Sequence, residues 1–434
     1  MFTTPSRLPS PALPLLLATL LFNTAHAATA DWPQWRGPNR DAICAETGLL
    51  KTWPTNGPPL LWKATGLGGG FSSVAIVGDR LYTLGNRRGK DGGGTHLLAL
   101  QLADGKPIWA TAFPAGEGKA GSPNGTPTID GELAYAISLN GTLVCARTTT
   151  GEIVWSKNFS KDFEGGMMSG WGFSESPLVD GDKLIVTPGG TKSTIVALNK
   201  KAGELLWKCP VGDVGGRGKD GSAYTGAVVS EAAGVRQYIQ LLGRGVVGVR
   251  ASDGKLLWSY NRVANGTANI PTPLVKGDYV FCSTGYGTGG GLLKLVPSGD
   301  QGVNAEEVYF LNAKDFQNHH GGMILVGDHL YAGHGHNNGF PICLELKTGK
   351  VAWGKDRGPG TGSAAILYAD GHLYFRYENA VLALIEATPE GYREKGAFEL
   401  ASKNGKSWSH PVIHKGLLYL RDQDNLLCYD IRAK

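Results

Sequence analysis

The sequence predicts an all-β fold: an eight-bladed β-propeller of four-stranded antiparallel blades, closed by an N-terminal strand. Three observations predict it. Glycine supplies 65 of the 434 residues, about twice its usual share, alongside a steady supply of Val, Ile, Leu, Tyr and Thr, the composition of short strands joined by tight turns. No stretch long enough for a helix carries an apolar stripe at helical spacing. A repeat of about 50 residues runs the length of the chain.

The chain opens with "MFTTPSRLPSPALPLLLATLLFNTAHAATADW". Arg7 precedes an apolar run from Leu13 to Phe22, and Ala25, His26 and Ala27 offer a small-residue cleavage site. Residues 1–27 therefore read as a secretory signal peptide, too short to span a bilayer, which sends the chain to the periplasm or beyond. No cysteine stands at the cleavage region, so no bacterial lipoprotein anchor is expected, and no other segment is apolar for long enough to be a transmembrane helix. The formal net charge of +5 is scattered over short-spaced Lys and Arg rather than gathered in a run, which argues against nucleic-acid binding. Residues 28–57 come next, with "DWPQWRGPNRD". Two Trp three apart around Pro and Arg suit neither a helix nor a central strand, so this segment is expected to strap one face and to roof or block part of a site there.

Residues 58–434 carry the repeat. Hairpin glycines stand at Gly78, Gly131, Gly181, Gly234, Gly277, Gly327, Gly371 and Gly416, at intervals of 43 to 53 residues, each between two short apolar runs. A second signature follows, a Gly four residues before a Trp: Gly105/Trp109, Gly151/Trp155, Gly203/Trp207, Gly254/Trp258 and Gly349/Trp353. Strand, tight turn, strand and a large flat ring at a fixed place suit a unit that wedges against its neighbour, burying on the order of 200 Å² each time. Four strands per repeat, eight times over, make a propeller. The eighth repeat stops at "LLCYDIRAK" after three strands. The missing outer strand is expected from "PPLLWKA", where Leu61, Trp62 and Lys63 match Leu206, Trp207 and Lys208, so that both ends of the chain share one blade and no edge is left open.

The pattern Ala-x-Asp/Asn-x-x-x-Gly-x-x-x-Trp, as in "ALNKKAGELLW", resembles the repeat of pyrroloquinoline-quinone (PQQ)-type eight-bladed propellers. The stretch "DWPQWRGPNRDAICAETGLLKTWP", with "NHHGGMILV" and "HGHNNGFP", is similar to a group of exported bacterial PQQ-like repeat proteins, and the resemblance covers residues 31–434. It implies a quinoprotein alcohol dehydrogenase-like fold. Quinone dehydrogenases share that repeat with the scaffold lipoprotein of the outer-membrane β-barrel assembly machine, so the resemblance carries fold rather than activity.

Six cysteines in an exported chain invite a disulfide framework. Cys145, Cys343 and Cys428, however, occupy the repeat position held elsewhere by Ala99, Ala197 and Ala383, so they read as small buried residues in separate blades. Cys44, Cys209 and Cys282 leave room for one pair. The adjacent cysteine pair of quinoprotein alcohol dehydrogenases is absent.

Five of the ten histidines fall between residues 316 and 340. His319 and His320 precede the first strand of the sixth repeat, and His334, His336 and Asn337 follow its second strand. All are expected at the mouth of the central channel, with His329 toward the other end. The pair His334 and His336 suits zinc, copper or iron, although the surrounding glycines and the lack of a neighbouring carboxylate favour hydrogen-bonding roles. Equivalent segments bring Trp171 and Glu175 from the third repeat, Tyr224 from the fourth, and Trp408 and His410 from the eighth. Second-strand ends add Arg244, Tyr286, Arg376 and Arg421. Such a funnel suits a planar anionic ligand held by stacking and forked hydrogen bonds; a solvated mouth of polar turns is the plain alternative.

For a quinone enzyme, the resemblance implies PQQ with Ca²⁺ held by a Glu, an Asn and an Asp. Glu175 and Asp220 are the acids at inner positions, neither in the family's motif context, so no catalytic residue transfers, and PQQ with Ca²⁺ finds no support in ligand residues. The sequence thus predicts an exported, non-enzymatic binding or scaffold propeller of unknown ligand. The alternative is a quinone- or metal-dependent periplasmic oxidoreductase of the alcohol or sugar dehydrogenase type.

Overall fold

Each repeat folds as an antiparallel blade of four strands, and eight blades follow one another in a ring. The computed structural model describes Met1, Phe2 and residues 31–89, 92–114, 121–355 and 357–433. The signal-peptide reading of residues 1–27 falls on residues 3–30 and lies outside the described residues. Among those residues helix is confined to Phe159–Phe163 and the short turn Ala232–Gly234. No described helix is long and apolar enough to cross a membrane.

Blade 1 shows the pattern. Ala75–Val77 is its inner strand, Arg80–Gly89 and Gly92–Gln101 follow, and Pro107–Ala112 is the outer edge. Side chains alternate between the two faces of every strand, so each blade feeds two wedges of core. In the second strand of blade 2, Ala134 and Ala136 pack against blade 1, while Tyr135 and Ile137 pack against blade 3. The last wedge joins blades 7, 8 and 1 through Leu384, Tyr419 and Leu98. Closure follows the predicted route: Leu60–Ala64 pairs with the last strand of blade 8, Trp62 opposite Cys428 and Lys63 opposite Leu427.

The repeated Gly and Trp meet across blades rather than within one. Trp62 lies on Gly105, Trp109 on Gly151, Trp155 on Gly203 and Trp207 on Gly254; Tyr309 replaces Trp on Gly349. A methyl group on any of these glycines would sit 2.5–2.8 Å from the ring. The indole N–H then donates to the next blade's turn, from Trp109 to the Thr148 carbonyl at 3.1 Å and from Trp155 to that of Lys200 at 3.3 Å. Opposite Trp109, Trp155, Trp207, Trp353 and Trp62, on the third strand, stands a small residue: Ala99, Cys145, Ala197, Cys343 and Cys428 in turn, whereas Tyr309 faces Leu292. The three cysteines are there because a thiol fits where a longer side chain would displace the ring. All six cysteines are buried and free, so no pair forms among Cys44, Cys209 and Cys282.

The N-terminal strap departs from expectation. It lies along the inner strands, inside the channel, instead of across one face. Trp32 pairs with Ile76 of blade 1, the Pro33 carbonyl accepts from Ile129 of blade 2, and Ile43–Cys44 adds a parallel strand to Tyr368–Ala369 of blade 7. Two buried arginines pin it. Arg36 donates to the carbonyls of Gly321 (2.9 Å) and Met323 (2.6 Å) in blade 6; Arg40 donates to those of Ser176 (2.6 Å) and Pro177 (3.0 Å) in blade 3. Carbonyls that no strand can reach are satisfied by these guanidinium groups, as buried polar groups require.

Candidate functional site

The loops entering the inner strands of every blade but the seventh, with the second-strand ends of three blades, enclose a cavity of about 560 Å³ at one channel mouth. The strap closes it from below: Trp35 lines the cavity, packs edge-on against His410 at 4.4 Å, and donates to Thr272 Oγ1 at 3.4 Å. The walls are aromatic and neutral. Phe71 packs on Trp408 at 4.7 Å, Trp408 meets His320 at 4.3 Å, and Trp171, 56% exposed, stands beside Tyr224 at 6.0 Å. Lys406 is the one Lys or Arg among the described lining residues; Glu378 behind it pairs with the ammonium at 3.2 Å and accepts from Trp408 Nε1 at 2.8 Å.

The histidines are packed together without acids. His319 stacks on His320 at 3.9 Å and touches His336 at 4.1 Å. Burial, reinforced by neighbouring positive charge, pushes His319 and His410 down to about 3 and His320 well below the usual imidazole range. They are uncharged at neutral pH.

Of the residues expected at the mouth, Trp171, Tyr224, Tyr286, His319, His320, His336, Asn337, Trp408 and His410 line the cavity, and the other five lie elsewhere. Glu175 is turned into the wedge between blades, where its carboxylate accepts from Thr187 N (2.7 Å) and Thr187 Oγ1 (2.9 Å); burial raises it to about 7. Arg244 is held on the rim by Asp220 and the Gly215 carbonyl. His334 faces away, stacked on Phe316 and accepting from the Gln317 N–H at 3.2 Å, so His334 and His336 do not form a chelating pair. Arg376 is fully buried: it donates to the Ser409 carbonyl (2.7 Å) and Ser407 Oγ (3.1 Å), fixing the loop that carries Trp408 and His410. Arg421 is likewise buried, bridging to Thr83 Oγ1 and the Gly68 carbonyl of blade 1. The forked arginines of an anion site are therefore absent from the lining. Phe71, Lys406 and Trp35 are among the lining residues that sequence reasoning missed. The first two share the loop position of Trp171 and Trp408, which was the available signal; for Trp35 it was the strap expected to roof or block part of a site, which did not single out this residue.

Among the described residues no group of three or more His, Cys, Asp or Glu is arranged to hold a metal ion. PQQ with Ca²⁺ does not fit the donor set either. Among the described residues no Asp or Glu lines the cavity, whereas Ca²⁺ demands oxygen ligands with carboxylates among them.

Fold and cavity together define a PQQ-type eight-bladed propeller with its channel plugged and one mouth open. Residues 99–355 match the family model described as outer membrane protein assembly factor BamB, and the chain belongs to that family. The outer membrane protein assembly factor BamB of Burkholderia pseudomallei is 32% identical over 173 residues, 38% of this chain and 39% of that protein. The chain thus matches about two fifths of this relative's length. Quinoprotein alcohol dehydrogenase PedH of Pseudomonas putida is 33% identical over 110 residues, 24% of this chain and 18% of that enzyme. Among solved structures, BamB from Moraxella catarrhalis superposes with a TM-score of 0.60 at 13% identity, over 87% of this chain and 98% of its own. Quinohemoprotein alcohol dehydrogenase from Comamonas testosteroni gives 0.64 at 12% identity, over 94% and 82%. At such identities the likeness is one of fold.

Proposed function

We propose that the chain is an exported, non-enzymatic binding propeller, a scaffold that seats a ligand or a partner's side chains in the channel-mouth cavity. The donor set of that cavity carries the reading: aromatic rings and uncharged imidazoles over a closed floor, with no carboxylate among the described lining residues. Membership of a family named for outer membrane protein assembly supports the scaffold role, and the signal-peptide reading of residues 1–27 supports export. The rival reading, a quinone- or metal-dependent oxidoreductase, is supported by the local likeness to a quinoprotein alcohol dehydrogenase and opposed by the same donor set.

The test supplies the full-length protein with PQQ and Ca²⁺, assays dye reduction with alcohols and sugars, and takes native mass spectra of wild type and Trp171→Ala. Trp171 is exposed enough for its loss to spare the fold. The expected result is no retained quinone absorbance, no dye reduction, and a ligand or partner held by wild type and lost from the variant. A quinone band that co-purifies with dye reduction transfers the chain to the oxidoreductases.

A further inference from the structure

Resting on the reading of the mouth as a binding site, we infer that the cavity is a subsite for a neutral pyranose, seated against tryptophan and recognised through its hydroxyl protons. The direction in which the cavity's hydrogen bonds run points to this ligand. Ser363 donates to Asn337 Oδ1 at 3.0 Å, so its oxygen accepts from Nδ1 of His319, 2.6 Å away. With its proton on Nδ1, His319 presents a lone pair at Nε2, which accepts from the Tyr286 hydroxyl at 3.0 Å. The Tyr286 proton is thereby committed to the protein. Tyr224 is in the same state, because Ser169 donates to the Thr267 carbonyl at 2.7 Å and accepts from the Tyr224 hydroxyl at 2.5 Å. Both phenols line the cavity as acceptors.

His410 adds a third acceptor. Its Nε2 donates to the His320 carbonyl at 3.3 Å, which leaves Nδ1 as a buried lone pair without a partner among the described residues. His336 supplies the opposite sense: its Nδ1 accepts from the Tyr286 backbone N–H at 3.3 Å, so Nε2 carries a proton. A buried acceptor left unpaired is costly; His410 Nδ1 is one here, and the phenol oxygens of Tyr286 and Tyr224 keep lone pairs free beside it. A ligand rich in O–H groups satisfies them. An anion brings acceptors to acceptors, and a purely apolar ring covers them without pairing.

The rest of the lining fits the same ligand. Trp35 below and Trp171 at the side line the cavity with indole rings, whose negative quadrupole attracts the C–H face of a sugar; the Trp408 ring already carries Phe71 and the Lys406 ammonium. The cavity's volume, about 560 Å³, falls in the ordinary range for a small-molecule site. Tyr286 (φ +56°) and His336 (φ +54°) are both held in the left-handed region, a conformation that side chains of this size adopt at a cost. The surrounding fold maintains that strain at the two residues that set the polarity of the site.

The experiment is tryptophan fluorescence and titration calorimetry on the full-length protein with glucose, cellobiose, dextran and glucuronate. A neutral sugar is expected to bind, with glucuronate weaker by about tenfold or more. Tyr286→Phe, which removes one oxygen and keeps the ring, is expected to weaken that binding by about tenfold while the protein still melts cooperatively, slightly lower for the lost bond to His319. Tighter binding of cellobiose than of dextran assigns a free sugar; tighter binding of dextran assigns a glycan chain. The inference is overturned if no neutral sugar binds at millimolar concentration, if glucuronate binds as well as glucose, or if Tyr286→Phe binds like wild type. A non-sugar ligand retained in native mass spectra would then preserve the binding-site reading, and its absence would remove that reading too.

Discussion

His319, His320 and His410 sit where burial denies them a charge, and that has a consequence for stability. Unfolded, each titrates near the ordinary 6.5; folded, His319 and His410 are held near 3 and His320 well below its usual range. A depressed imidazole contributes stability that is whole above the unfolded value and is lost as pH falls toward the folded one. Glu175 has the opposite sign. Its carboxyl is raised from 4.5 to about 7, so its contribution is whole below 4.5 and lost as pH rises through 7. Three imidazoles outweigh one carboxyl below pH 6.5, and the melting temperature is expected to fall steadily on acidification from that point. His320→Asn, which removes one of these groups, should flatten that slope; an unchanged slope would mean that His320 is solvated in the native protein.

In seven of the eight blades the outer strand carries a β-bulge immediately before its aromatic ring; in blade 7 the bulge precedes Gly396 instead. The extra residue is the one turned outward: Ile108, Val154, Leu206 and Val308 are among the few large apolar side chains left exposed. The bulge re-aims the next side chain, the Trp, onto the neighbouring blade's turn, and it twists an edge that would otherwise invite pairing with another chain. Glycines of the two recurring turns therefore differ in what they tolerate. Gly131, in a hairpin, has φ +57° and open space where a Cβ would go. Gly151 has φ +76°, and its Cβ would lie 2.6 Å from the Trp109 ring. Gly131→Ala is expected to cost about 1 kcal/mol, the backbone term alone, and Gly151→Ala about 3 kcal/mol because a packed ring must also move. Urea denaturation measures both, and equal costs would mean that the Trp is not wedged.

At the scale of the ring, two N-terminal segments do different work. Leu60–Ala64 closes blade 8, and the strap before it fills the channel and floors the cavity. A chain beginning at Pro58 keeps closure and loses the plug; one beginning at Gly66 loses both. The first should remain folded with a lowered melting temperature, since it leaves the inner carbonyls held by Arg36 and Arg40 unpaired. The second should aggregate, because it also bares the edge of Asn425–Asp430 and the core around Tyr419 and Cys428. Light scattering and thermal melting separate these outcomes, and a soluble, cooperatively melting chain from Gly66 would refute closure by this strand.

The periodic part of the molecule was determined by the sequence alone. Hairpin glycines, the Gly and Trp four residues apart, and cysteines standing where the repeat has alanine fix eight blades and their closure, because packing of identical units forces identical residues to recur. The candidate site was legible only as far as the repeat reaches, to the loop positions of Trp171, Tyr224, His319, Trp408 and His410. Tertiary structure decided the rest. Glu175 lies between two lining residues, Ser174 and Ser176, and in extended chain that single step turns it into the core. Arg376 ends inside its strand, His372–Tyr377, whereas Tyr286 lies two residues beyond the end of Tyr279–Thr284; that offset puts one in the core and the other in the cavity. Trp35 reaches Thr272 across 237 residues of sequence. Contacts of that kind, and the direction of each hydrogen bond around His319, leave no period in the chain, because each occurs once and depends on where the closed ring brings distant loops together.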